Sequence, residues 1–216
     1  MRIVIASAAA DWLTAVGTLA AAGVALLGYW IVWWRNRQSR PRLTLTFDAD
    51  ESQTERNPIT GHELPYVRLR VANAAGRHAG QGVQVLVLQA TPQNDAPPIQ
   101  FASAPLGWTG GGDPGDNSRL TIGPGVSRYV DLGCAMHPSV NAGHPPTSPL
   151  HQHALMLSLV TPPADLRHVL PVGTYRLRLA LSGTNLDAHS IELDLGFSSW
   201  NTSEEFWDGF HASVVA

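Results

Sequence analysis

Residues 66–88 read YVRLRVANAAGRHAGQGVQVLVL, and the two halves of this stretch decide the fold. In the first half Val67, Leu69 and Val71 alternate with Arg68 and Arg70. That period of two lays one face of a β-strand on a core and turns the other to water. In the second half Val83, Val85 and Val87 are interleaved with Gln84, Leu86 and Leu88. A strand apolar on both faces is expected at the centre of its sheet. Between them, Asn73 to Gly82 supplies turn residues. Upstream, Leu43, Leu45 and Phe47 alternate with Thr44 and Thr46; downstream, Tyr129–Leu132, Leu155–Val160, Tyr175–Leu181 and Ile191–Phe197 continue the series. Gly123-Pro124-Gly125, Pro162-Pro163, Pro171 to Gly173 and Ser182 to Asn185 punctuate it. No long amphipathic helix is visible between residues 43 and 196. The expectation is an all-β fold, an antiparallel β-sandwich of about seven to nine strands over residues 43–198.

The N-terminal side has another character. Leu13 to Trp34 is a run of 22 residues with no charged side chain. As a helix, Trp12 to Trp33 spans about 31 Å, which matches a hydrocarbon core of about 30 Å. Trp12 marks one interface, and Tyr29, Trp30, Trp33 and Trp34 crowd the other, where amphipathic rings settle. Residues 12–34 are therefore expected to form a transmembrane helix after a short extracytoplasmic tail, residues 1–11. Arg2 and Asp11 precede the span, whereas Arg35, Arg37, Arg40 and Arg42 follow it and define a juxtamembrane linker over residues 35–42. Arg-rich flanks stay in the cytoplasm, so the N-terminus is expected outside and residues 35–216 inside. A cleaved signal peptide, Arg2 followed by Ile3 to Ala10, is the competing pattern. The apolar sequence runs on past Asp11 to Trp34, too far for such a peptide.

One side of this helix is small. Thr14, Gly17, Thr18, Ala21, Ala25 and Gly28 recur every three or four residues, with Leu13, Leu19, Leu26 and Leu27 elsewhere. In lipid, close packing of small faces associates helices where apolar burial cannot, so a homo-oligomer through this helix is expected.

Charge and cysteine content narrow the classes. From residue 43 onward nine arginines face sixteen acids, a formal −7. Nucleic-acid binding needs a basic footprint and is not expected. The four flanking arginines suit anionic headgroups of the bilayer. Every basic residue is Arg and none is Lys, which suits a GC-rich bacterial genome. The one cysteine, Cys134, can form no internal disulfide, consistent with a reducing compartment. The expected location is the bacterial inner (cytoplasmic) membrane.

Two segments carry a resemblance. Tyr66 to Val83 runs strand, Asn/Gly turn, Val-rich strand, and Leu170-Pro-Val-Gly-Thr-Tyr-Arg-Leu-Arg-Leu179 leads through Pro and Gly into a Tyr-headed strand. Both resemble bacterial immunoglobulin-like domains of the adhesion-related (CARDB-like) kind. The whole chain is similar to single-pass membrane proteins of GC-rich bacteria that carry a cytoplasmic sandwich. The resemblance implies a sandwich that binds proteins or stacks into assemblies, and carries over no catalytic residue. In it, Tyr175 looks like the tyrosine that closes such sandwiches by bonding upstream backbone. The Gly-, Pro- and Asp-rich region Thr91 to Gly125 departs from the pattern and reads as an insert.

Chemistry is sought in the few clusters present. Cys134, His137, His144, His151 and His153 lie within twenty residues, and Cys-x-x-His followed by His-x-His offers donors that zinc accepts. The spacing fits no established zinc motif, and a surface loop with Cys134 ending a strand is the simpler reading. No metal or other cofactor is expected. GGGDPGDN over Gly110–Asn117 lacks the ligand run of a calcium loop and reads as a hairpin tip. Glu192 and Asp194 sit beside Arg176 and Arg178 as cross-strand pairs of a hairpin. Trp200, Phe206, Trp207 and Phe210 recur at roughly helical spacing in residues 199–216, where Ser203 is placed to cap a short helix closing the core.

Three functions fit these features. The first is a membrane-anchored cytoplasmic binding or assembly module without catalysis, its protein partner unknown. The second is a membrane-acting effector, for example in bacterial defence, whose self-association clusters the helices. The third is a metal-dependent enzyme using the His-rich loop.

Overall fold

The computed structural model describes residues 3–47, 49, 52–56, 63–110, 117–138 and 152–215. The chain divides into two compact units, Met1–Arg40 and Pro41–Ala216.

The first unit is one helix, α1 (Ile3–Ser39), 37 residues long. It continues past both ends of the expected span, through the described part of the tail and the first five linker residues. Nothing between Ile3 and Ser39 breaks a helix, and Pro41 disfavours helical geometry at Arg40. The hydroxyl of Ser39 donates to the carbonyl of Arg35 at 2.8 Å, satisfying a last-turn acceptor that has no helical partner. Thr14–Ser39 is long and apolar enough to cross a membrane.

Among the described residues, the second unit holds twelve strands. They begin with β1 (Leu43–Phe47), β2 (Gln53–Arg56), β3 (Glu63–Asn73), β4 (Gly80–Pro92), β5 (Ile99–Pro105) and β6 (Leu120–Ile122). They continue with β7 (Ser127–Met136), β8 (Ala154–Leu157), β9 (Val169–Pro171), β10 (Gly173–Ser182), β11 (His189–Phe197) and β12 (His211–Val215). A short helix, α2 (Ser203–Gly209), lies between the last two. One sheet has the order β1-β3-β7-β8-β9 with β2 on β3; the other has β12-β11-β10-β4-β5 with β6 on β4. All pairings are antiparallel. This is the immunoglobulin-like plan, in which β1, β3 and β7 stand as strands A, B and E, and β4, β5, β10 and β11 as C, C′, F and G.

Period two does what the sequence expects. Val67, Leu69 and Val71 on β3 and Val83, Val85 and Val87 on β4 are fully buried in one core with Leu177, Leu179, Leu193 and Leu195. β4 is central, flanked by β10 and β5, but Gln84, Leu86 and Leu88 on its outer face are only half-buried. Gly82 takes a φ of 59°, a conformation glycine adopts without steric cost, where the β4–β6 register shifts. Gly133 has no room for a side chain, since a Cβ there would lie 2.6 Å from the carbonyl oxygen of Met156.

The Thr91–Gly125 region is not an insert standing apart from the sandwich. It forms edge strand β5, then crosses to the opposite sheet. Thr109 N–H donates to Tyr129 at 2.9 Å and Asp131 N–H to Gly107 at 3.0 Å, so this segment lies beside the first half of β7. β8 takes the second half, from Gly133 to Met136. Together they fill the place of the D strand. Leu106 and Trp108, carried across, are buried in the core, and the Trp108 indole donates to the carbonyl of Ser118 at 3.2 Å. Of the expected hairpin tip, residues 111–116 lie outside the described residues.

The aromatic C-terminus closes the core as expected, with two corrections. Phe206 and Trp200 are buried in it, and Trp207 and Phe210 pack against it. The cap of α2 is Thr202, one residue before Ser203: its hydroxyl accepts from Glu205 N–H at 3.2 Å, while the Glu205 carboxylate accepts from Asn201 N–H at 2.7 Å. The chain then forms β12, a further strand of the second sheet, so the sandwich extends beyond residue 198.

Candidate functional site

The polar side chains of the sandwich bond both to backbone and to one another. Where β9 of one sheet gives way to β10 of the other, the Tyr175 hydroxyl donates to the carbonyl of Pro171 at 2.8 Å. Burial pushes its phenol above the ordinary value. On the outer face of the first sheet, the Arg68 side chain is only 8% exposed. Its Nε donates to Asp131 at 3.0 Å, its Nη1 to Gln53 at 3.3 Å, and its Nη2 to Glu55. Asp131 also accepts from the Thr109 hydroxyl at 2.6 Å. The network ties β2, β3, β7 and the crossing segment together.

On the second sheet, register places Arg176 opposite Asp194 and Arg178 opposite Glu192, the cross-strand pairs read from the sequence. Arg176 grips Asp194 with two bonds, of 2.7 and 2.9 Å, and these hold that carboxyl below its usual range. Such forked pairs are geometrically specific, and here they brace a hairpin.

Of the Cys/His cluster, Cys134, His137 and His153 are described. Ala135, Leu155 and Leu157 face the core, whereas Cys134 and Met136 are buried outside it. Strand residues three apart lie on opposite faces, so Cys134 and His137 diverge despite their Cys-x-x-His spacing. Cys134 directs its thiol at the Met136 sulfur, 3.8 Å away, and burial raises its pKa to about 11, keeping it a protonated small apolar group. His137 and His153 do meet, with ring centroids 4.8 Å apart, and His153 meets Trp200 at 4.8 Å. Burial, then the neighbouring His137, lowers the pKa of His153, whose ring makes aromatic contacts at the end of the core. His144 and His151 lie outside the described residues. Among the described residues no group of three His, Cys, Asp or Glu could hold a metal ion.

The apolar helix presents the other candidate site. Trp12, Tyr29, Trp30, Trp33 and Trp34 are all exposed on α1. Trp30 and Trp34 stack with centroids 5.7 Å apart, and the Arg37 guanidinium sits 5.4 Å from the Trp33 ring. Aromatic and cationic groups thus share the C-terminal end of the apolar run, the arrangement that suits a membrane interface. Gly17, Ala21, Ala25 and Gly28 are exposed, and a Cβ at Gly17 or Gly28 would meet nothing within 4 Å. On this side the Thr18 hydroxyl donates to the Thr14 carbonyl at 2.9 Å.

Sequence reasoning missed the Arg68–Asp131–Glu55 network and strand β12. Arg68 carried a signal, being a charged residue between the fully buried Val67 and Leu69. Its partners are distant in sequence, and no local pattern names them.

No protein-family model matches the chain, and no curated protein or solved structure shows significant similarity to it.

Proposed function

We propose that this chain is a membrane-anchored binding and assembly module of the bacterial inner membrane, with its N-terminus outside and its immunoglobulin-like, CARDB-like sandwich in the cytoplasm. It works by contact rather than by catalysis. The observation that carries this reading is the joining of an apolar helix, Thr14–Ser39, to a sandwich in one chain, with Arg35 and Arg37 at the helix end that leads into the sandwich. Arginines on that flank favour cytoplasmic retention. The sandwich suits contact because its clustered charges, at Arg68 and Arg176, are engaged in bracing strands.

Protease digestion tests the placement. Full-length chain expressed in bacteria should stay with membranes through alkaline carbonate. Its sandwich should resist protease in spheroplasts and be digested in inverted vesicles. Recovery in the soluble fraction, or digestion in spheroplasts, would contradict the proposal.

A further inference from the structure

Among the described residues, the free edges of the two sheets differ in how they are guarded. β5 is bent at Ser103, where φ is 53°, and lies between Pro97-Pro98 and its own Pro105. β9 and β6 are three residues long, and β9 ends in Pro171. β2 carries Glu55 and Arg56, and β1 follows Pro41-Arg42. Prolines, charges, bulges and shortness are the devices that stop one sheet edge from pairing with another chain.

β12 has none of them. His211-Ala212-Ser213-Val214-Val215 contains no acid, no arginine and no proline, and pairs with β11 over five residues in unbroken register. Among the described residues no strand hydrogen-bonds to its other edge, and β1 of the opposite sheet packs near β12 without pairing. Val214 and Val215 remain 37% and 36% exposed there.

We infer that the β12 edge is the contact between two copies of this chain, which pair antiparallel through β12 and join the two second sheets into one. Full overlap of the five residues puts the two-fold axis on Ser213. Ser213 then faces its own copy, His211 faces Val215 of the partner subunit, and Ala212 faces Val214 of the partner subunit. An isologous contact requires such self-complementarity, since each strand must tolerate itself reversed. No acid or arginine meets its like across the axis. One strand further in, Asp194 is already engaged by Arg176. A strongly charged peptide would find no acid or arginine on β12 to pair with, whereas a second β12 brings none against it. The inference rests on the anchored reading in one respect: confinement to a membrane raises the effective concentration of copies, so a five-residue contact suffices.

Disulfide trapping in isolated membranes tests it. The full-length chain carries Cys134→Ala, and Ser213→Cys is compared with Thr44→Cys on β1 and Gln100→Cys on β5. Facing residues of antiparallel strands have Cα atoms about 4.5–5.5 Å apart, within disulfide reach. Oxidation should convert most of the Ser213→Cys chain, and little of the other two, into disulfide-linked dimer. Adding Val215→Lys, which sets a cation at each end of the pairing, should lower that yield severalfold. Val215 is exposed, so the domain should still fold. No dimer with Ser213→Cys, equal yields at all three edges, or indifference to Val215→Lys would each overturn the inference. Membrane fractionation of the same samples is read separately. Loss of the chain from membranes would count against the anchor, while the trapping result would still decide the edge.

Discussion

The Tyr175 hydroxyl donates to the Pro171 carbonyl at 2.8 Å, spanning the place where the chain leaves one sheet for the other. The ring is buried and packs beside Phe197 with centroids 6.3 Å apart, so only the hydroxyl is at issue in a Phe substitution. Tyr175→Phe should destabilise the sandwich by about 0.5–1.5 kcal/mol, the net worth of an ordinary hydrogen bond. Urea unfolding measures this directly, and an unchanged midpoint would reduce Tyr175 to a core aromatic.

The Arg68 network should respond unequally to its members. Asp131→Ala removes one acceptor from a buried guanidinium and a partner from Thr109 at once. The cost should be about 1–3 kcal/mol, the range for a buried donor left short of an acceptor. Glu55 is far more exposed, and Glu55→Ala should cost less than about 1 kcal/mol, as for other solvent-facing ion pairs. Equal effects in denaturant titrations would show that burial does not set the weight of these contacts.

Acid should weaken the sandwich through two histidines. The Nδ1 atoms of His153 and His168 are buried and bond to no described protein group. Burial lowers both pKa values below the ordinary 6.5; His137 lowers that of His153 further, and Asp165 partly offsets the effect at His168. The unfolded chain therefore takes up protons near pH 6.5, and the folded chain only at lower pH. Their contribution is fully present above that value and lost as pH falls below it. Unfolding free energy should decline from about pH 7 toward pH 5. Substituting both residues, as His153→Phe with His168→Leu, should flatten that decline. A wild-type profile already flat in this range would contradict the assignment.

The strands that could be read from sequence are those with one buried face and regular alternation. Leu43 to Phe47, Val67 to Val71 and Tyr175 to Leu181 announce themselves because every second residue enters the core. β2 was invisible because Gln53 to Arg56 is polar throughout and pairs only with one end of β3. β5 and the crossing segment were hidden by Gly and Pro, although Leu106 and Trp108 keep the two-residue spacing of core positions. β12 is as long as β1, but His211-Ala212-Ser213-Val214-Val215 has no apolar alternation and buries no face fully. For the site, the reading of Tyr175 needed only its Pro-Val-Gly lead-in, which places the ring at a sheet change. The Cys-x-x-His spacing, weighed in the sequence below a plain surface loop, separates Cys134 from His137 because residues three apart on a strand take opposite faces.

The anchor's small face should govern any association made within the bilayer. Ala21→Ile with Ala25→Ile adds bulk on the side shared by Gly17 and Gly28 while keeping the helix apolar. Insertion should be unchanged, and helix-mediated crosslinking should fall. An unchanged crosslinking ladder would assign assembly to the sandwich, where the β12 edge is the proposed contact.

The account stands on the placement of the sandwich, and cysteine accessibility in intact cells tests that most directly. In a Cys134→Ala chain, Ser7→Cys should react with a membrane-impermeant maleimide. Asn94→Cys, on an exposed turn of the sandwich, should react only after the membrane is opened. Labelling of Asn94→Cys in intact cells, with Ser7→Cys protected, would reverse the topology and contradict the central claim.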